Sequence, residues 1–159
     1  MKKLLILITG GIILYSCGNQ NTPSADANEP AAKTEEKTDN GNPSYDPERG
    51  IGKYTTVDLG DKLDEAMAKK GKEVADVKCL SCHKTTDEKL VGPGWAGVTT
   101  RYKPEWIMNF ITNVNEMLDK DPKAQAQLEI CLVRMPNQNL SDDEARQLLE
   151  YMRKNDGVK

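Results

Sequence analysis

Residues 79–83 read Cys-Leu-Ser-Cys-His, and this one run holds two of the chain's four cysteines and its sole histidine. C-x-x-C-H is the spacing of c-type haem attachment: the two thiols add to porphyrin vinyl groups as thioethers, and the adjacent imidazole reaches the iron. One such motif implies one covalent haem, held through Cys79 and Cys82 with His83 on the metal. Three other readings compete. A thioredoxin-like pair wants a βαβ context, which the sequence does not offer. A structural zinc site needs a second Cys or His pair, and only Cys131 remains nearby. A plain Cys79–Cys82 disulfide leaves the histidine unexplained.

The rest of the composition makes such a cofactor necessary. Of 159 residues, 37% are apolar and only 5% aromatic, so one small domain is expected and a large enzyme core is excluded. A thin core of this kind usually needs a staple. With 22 Lys and Arg against 25 Asp and Glu, no bulk positive charge recommends a nucleic-acid partner.

At the start of the chain, Lys2 and Lys3 precede an apolar run from Leu4 to Tyr15. That is an export signal in outline, and at about 12 residues it falls short of the roughly 20 that a bilayer span requires. Leu14-Tyr15-Ser16-Cys17 resembles the lipobox of bacterial lipoproteins, which implies cleavage before Cys17 and acylation of its thiol; the alternative is an ordinary secretory signal with an incidental Cys. Residues 1–16 are therefore expected to be the signal and 17–53 a lipidated Cys with a disordered tether, too poor in large apolar residues to fold. The domain is expected over 54–159. Most of the net negative charge falls on the tether.

Within the domain, Leu63, Ala66, Met67, Val74 and Val77 recur at helical spacing, with Asp61 as a candidate N-cap. Gly71 interrupts that helix at a cost of about 1 kcal/mol, which suggests close approach of another backbone. Residues 85–100 read as loop. Pro104 opens a second helix, Asp121-Pro122 a third, and Ser141-Asp142-Asp143-Glu144 is a capping box for a terminal one. The fold class expected is all-α, about four helices wrapped around one covalent haem.

These features together resemble class I monohaem cytochromes c over residues 63–154. The resemblance rests on Gly71 eight residues before Cys79, C-L-S-C-H, V-G-P-G-W-A-G-V, Pro104-Glu105-Trp106, Met135-Pro136-Asn137 and L-S-D-D-E leading into L-L-E-Y-M-R. It implies that Met135 binds iron opposite His83, that the Pro93 carbonyl accepts the His83 ring N–H, that Arg101 and Trp106 bond a haem propionate, and that Gly71 packs on the terminal helix near Leu148 and Tyr151. Two departures stand out. Ala75 takes the place of the family's aromatic, which implies a looser crossing, and Cys131 lies four residues before Met135. Among the methionines, Met67, Met108 and Met152 fall on apolar helical faces, while Met135 precedes Pro in a loop. Its soft, neutral thioether suits reduced iron. Trp106 also reads as ordinary core, Arg101 as a solvated loop charge, and Cys131 as a small buried hydrophobe.

The function expected is a one-electron carrier and not an enzyme: a monomer lipid-anchored on the periplasmic side of a bacterial membrane, passing electrons from a respiratory donor to a terminal oxidase or periplasmic reductase. A haem sensor or small peroxidase with an open iron site, or a fixed electron-entry subunit of a larger oxidoreductase, are the alternatives. Its redox partners are expected to meet a positive edge at Lys72, Lys78, Lys84 and Lys89, far from the acidic run Asp142 to Glu144.

Overall fold

Caps and prolines set where the helices begin. In the computed structural model, which describes residues 45–159, Asp64 caps α1 (Glu65–Lys78) by accepting from Met67 N at 2.9 Å. This is three residues later than the expected cap at Asp61. Gly97, at φ +73°, opens a four-residue α2 (Val98–Arg101) inside the stretch read as loop. Pro104 starts α3 (Pro104–Thr112), and Asn113 bends the chain into α4 (Val114–Lys120). Asp121 and Pro122 start α5 (Pro122–Cys131). Ser141 and Glu144 close a full capping box on α6 (Asp142–Asn155), whose acidic first turn and basic last turn suit the helix dipole. The domain is thus all-α, with six helices where about four were expected. Among the described residues the one β feature is an isolated bridge, Asp46–Gly50.

The most extensive helix contact is α1 against α6. A Cβ at Gly71 would lie 1.9 Å from the Gln147 carbonyl oxygen and 2.9 Å from Tyr151 Cβ. Only a residue without a side chain lets the two backbones meet so closely, which accounts for the helix propensity given up there. Ala75 is wholly buried at the same crossing, so the expected loosening is not observed: a small residue fits because the helices are already close.

Two buried polar side chains tie irregular segments to this frame. Asn109 holds the segment preceding α1, donating to the carbonyls of Arg49 and Tyr54 at 3.0 Å each and accepting from Tyr54 N. Ile51 N donates to Met117 Sδ at 3.0 Å. The packed chain therefore starts by Tyr45, nine residues before the expected boundary at Tyr54. Glu150, on α6, accepts from Asp64 N, Arg146 and Arg153, and the two arginines donate onward to the carbonyls of Asp58 and Leu59. Burial works against ionisation of Glu150, but these hydrogen bonds outweigh it and hold its carboxyl below the usual range.

Candidate haem cleft

The attachment motif begins where α1 stops. Cys79 caps the helix through its N–H to Ala75 O, and the chain then turns so that both Cys82 N and His83 N reach Cys79 O at 3.0 Å. This tight turn brings both thiols and the imidazole onto one cleft wall. Cys79 is buried, and burial pushes its thiol up to about 11, against the pull of Lys78.

His83 is fixed from behind. Its Nδ1 lies 2.9 Å from Pro93 O. A carbonyl oxygen only accepts, so the ring proton belongs on Nδ1 and the lone pair is left on Nε2. Burial lowers the pKa of His83, against the Pro93 hydrogen bond, which favours protonation; burial prevails, and the neutral imidazole is the ligand form. The loop bearing Pro93 is held down by bonds from Val91 N and Gly92 N to Cys82 O. A Cβ at Gly92 would lie 2.3 Å from His83 Cε1, so glycine is required for the loop to pass the ring. The Trp95 ring sits 5.6 Å from that of His83.

The opposite walls are apolar. Tyr102, Trp106 and Phe110, four residues apart, stack in series with centroids 4.2 and 5.1 Å apart and planes within 15°. Ile107 and Ile111 of α3, Leu118 of α4 and Leu148 and Met152 of α6 complete the lining, and Met135 enters from the loop between α5 and α6. The empty space of the cleft, counting the solvent at its open mouth, is about 1190 Å³. A mostly apolar slot lined by two thiols and a pre-oriented imidazole fits a covalently attached porphyrin.

All seven residues expected at the cofactor, Cys79, Cys82, His83, Pro93, Arg101, Trp106 and Met135, line this one cleft. Two differ in detail. The single N–H of Trp106, expected at a propionate, donates instead to Asp121 Oδ1 at 3.3 Å, which leaves it no proton for a second acceptor. Arg101 donates to the carbonyls of Ala96 and Gly94, bracing the loop, and three of its five N–H groups remain. Cys131 is half-exposed on the cleft rim rather than buried in the core. Cys17 lies outside the described residues. Trp95, Tyr102 and Phe110 were missed as wall residues; the aromatic spacing 102, 106, 110 was the available signal.

Among the described residues Cys79, Cys82 and Cys131 are not joined in a disulfide, and no three His, Cys, Asp or Glu are grouped as metal ligands. The positive edge is also corrected. Lys72 pairs with Asp76, Lys84 with Glu88, and Lys78 with Glu144 at 2.7 Å, because the α1–α6 crossing brings the acidic first turn of α6 beside the end of α1. Lys89 bonds Ile130 O. Three of the four charges are thereby neutralised locally.

Fold and cleft define a small all-helical protein built around one covalent porphyrin. The model of the cytochrome c family matches residues 68–156, and the chain belongs to that family; it carries covalently bound haem c and is a haem electron carrier. Cytochrome c from Rhodothermus marinus is 34% identical with a TM-score of 0.67, the match covering 70% of this chain and 97% of that one. An engineered form of that protein, Rma TDE, is 33% identical at a TM-score of 0.66, and the same engineered protein bound to a carbene intermediate matches at 33% and 0.63, each covering 70% of this chain and 98% of the other. No curated protein matches the sequence.

Proposed function

We propose that this chain is a class I monohaem cytochrome c tethered to a bacterial membrane through Cys17, with His83 and Met135 as the axial pair, passing single electrons on the periplasmic side from a respiratory donor to a terminal oxidase or reductase. The observation that carries it is the pairing of a histidine locked by Pro93 with a loop methionine lining the same cleft. Haem c supplies the one-electron couple. His83 offers Nε2 in the neutral form, and the thioether of Met135 favours the reduced state. With both axial positions taken by protein side chains, the chain is a carrier and not an enzyme.

The export and lipidation reading rests on Lys2, Lys3, the run Leu4 to Tyr15 and Cys17. No helix of the described residues is long and apolar enough to cross a membrane; the lipid attachment rests on the length of the run from Leu4 to Tyr15, about 12 residues against the roughly 20 a span requires. Two or more acyl chains hold firmly where one is marginal. The tether expected over residues 17–53, which up to residue 44 lies outside the described residues, gives the carrier its reach in this reading. Because three of the four lysines beside the motif are paired with carboxylates, encounter with a redox partner is expected to depend more on that tether than on a positive patch.

A second reading, a sensor or small peroxidase with an accessible iron, draws support from the engineered relative bound to a carbene intermediate. In this chain the loop of Met135 begins at Leu132, which has φ +61° and is 84% exposed.

Fractionation of cells expressing the full chain tests the tether. The native protein is expected in the membrane fraction, released by detergent and not by salt, and Cys17→Ser is expected to move it to the soluble exported fraction. A Cys17→Ser variant that stays with membranes would overturn lipid anchoring.

A further inference from the structure

We infer that Asp121 is a fixed negative charge behind the cleft wall that holds down the midpoint potential of the cofactor, with Tyr45 setting how much of that charge is felt; this rests on the electron-carrier reading above. Asp121 is 0% exposed, and none of the ion pairs among the described residues includes it; Lys123, two residues on, pairs with Glu48. Its two oxygens accept three hydrogen bonds, from Tyr45 O–H at 2.8 Å, from Trp106 Nε1 at 3.3 Å and from Ala124 N at 2.9 Å. Trp106 Nε1 and Ala124 N can only donate, so Oδ1 accepts from both while Oδ2 takes the Tyr45 hydroxyl, the bonding pattern of a carboxylate.

Capping α5 explains one of these three bonds. The caps of α1 and α6 do the same work at exposed sites, with Asp64 receiving Met67 N and Ser141 receiving Glu144 N. The other two bonds connect the charge to the cleft and to the surface. Trp106 lines the cleft between Tyr102 and Phe110, so a single ring separates the carboxylate from the cofactor space. Tyr45 arrives from the segment ahead of α1, outside the residues that match the family model. An anion in a dry, low-dielectric site is felt far more strongly than one in water. It stabilises the iron state carrying the extra positive charge, which is the oxidised one. The Tyr45 hydroxyl dipole, pointed at the carboxylate, offsets part of that effect.

The opposite signs of two variants test this on the full-length holoprotein, by redox titration at neutral pH. Asp121→Asn keeps a good N-cap for α5 and removes the charge; it is expected to raise the midpoint, changing the reduced-to-oxidised ratio at fixed ambient potential on the order of tenfold. Tyr45→Phe removes only the donor and is expected to lower the midpoint by a smaller factor, roughly two- to threefold in that ratio. Adding Tyr45→Phe to Asp121→Asn should then produce no further fall. Unchanged midpoints, or shifts of the same sign in both single variants, would overturn the inference, since altered packing or solvent access does not produce opposed signs. Should Asp121→Asn fail to fold, Tyr45→Phe alone decides: a fall supports the inference, and no change or a rise overturns it. A wild-type protein without a reversible one-electron couple would overturn the carrier reading itself.

Discussion

With alanine at both Cys79 and Cys82, the chain is expected to emerge colourless and to lose its cooperative unfolding transition. The cleft is walled by Ile107, Ile111, Leu118, Leu148 and Met152, residues that form much of the apolar core. Without a covalently held ring their inner faces lose their contacts. Truncating one buried side chain of this size already costs about 2–5 kcal/mol, and a small domain has only about 5–15 kcal/mol in total. Several such losses at once exceed the margin. Absorption of the denatured protein reports covalent haem, and thermal circular dichroism reports the transition. A stable, helical, haem-free domain from this variant would contradict the assignment of the ring to the core.

Met135→His is expected to lower the midpoint potential by on the order of a few tenths of a volt, a substantial part of the roughly 0.8 V range that axial ligands command. Imidazole favours oxidised iron more than a thioether does. The control is Met152, the other methionine on the cleft wall: it belongs to α6 and is almost fully buried, and Met152→Leu is expected to leave the potential near that of the wild type. A large shift from Met152→Leu with none from Met135→His would exchange their roles.

What could be read from the sequence was chemistry carried by local spacing. The C-x-x-C-H run, the capping box at Ser141, the prolines that start α3 and α5 and the glycine inside α1 each act within a few residues, and each stands where spacing put it. Pro93 was reachable only through the family resemblance, since its carbonyl meets a ring ten residues away. The misses are contacts between distant segments. The stretch from Tyr45 to Lys53 looks like tether by composition, yet Asn109 and Met117 bind its backbone, and backbone bonds leave no trace in composition. Trp106 fell on the correct wall, but its partner Asp121 lies on the turn into another helix. Lys78 and Glu144 are 66 positions apart and meet because Gly71 lets α1 and α6 close together, so a charge map drawn along the sequence separated groups that the fold pairs.

The carrier reading meets its most direct test when the reduced, intact holoprotein is mixed with carbon monoxide while its absorption is recorded. With His83 and Met135 both holding the iron, the spectrum is expected to stay unchanged on mixing and the protein to titrate as one reversible one-electron couple. Immediate conversion to the carbon monoxide complex would show an accessible axial position and contradict it, turning the protein into a sensor or peroxidase.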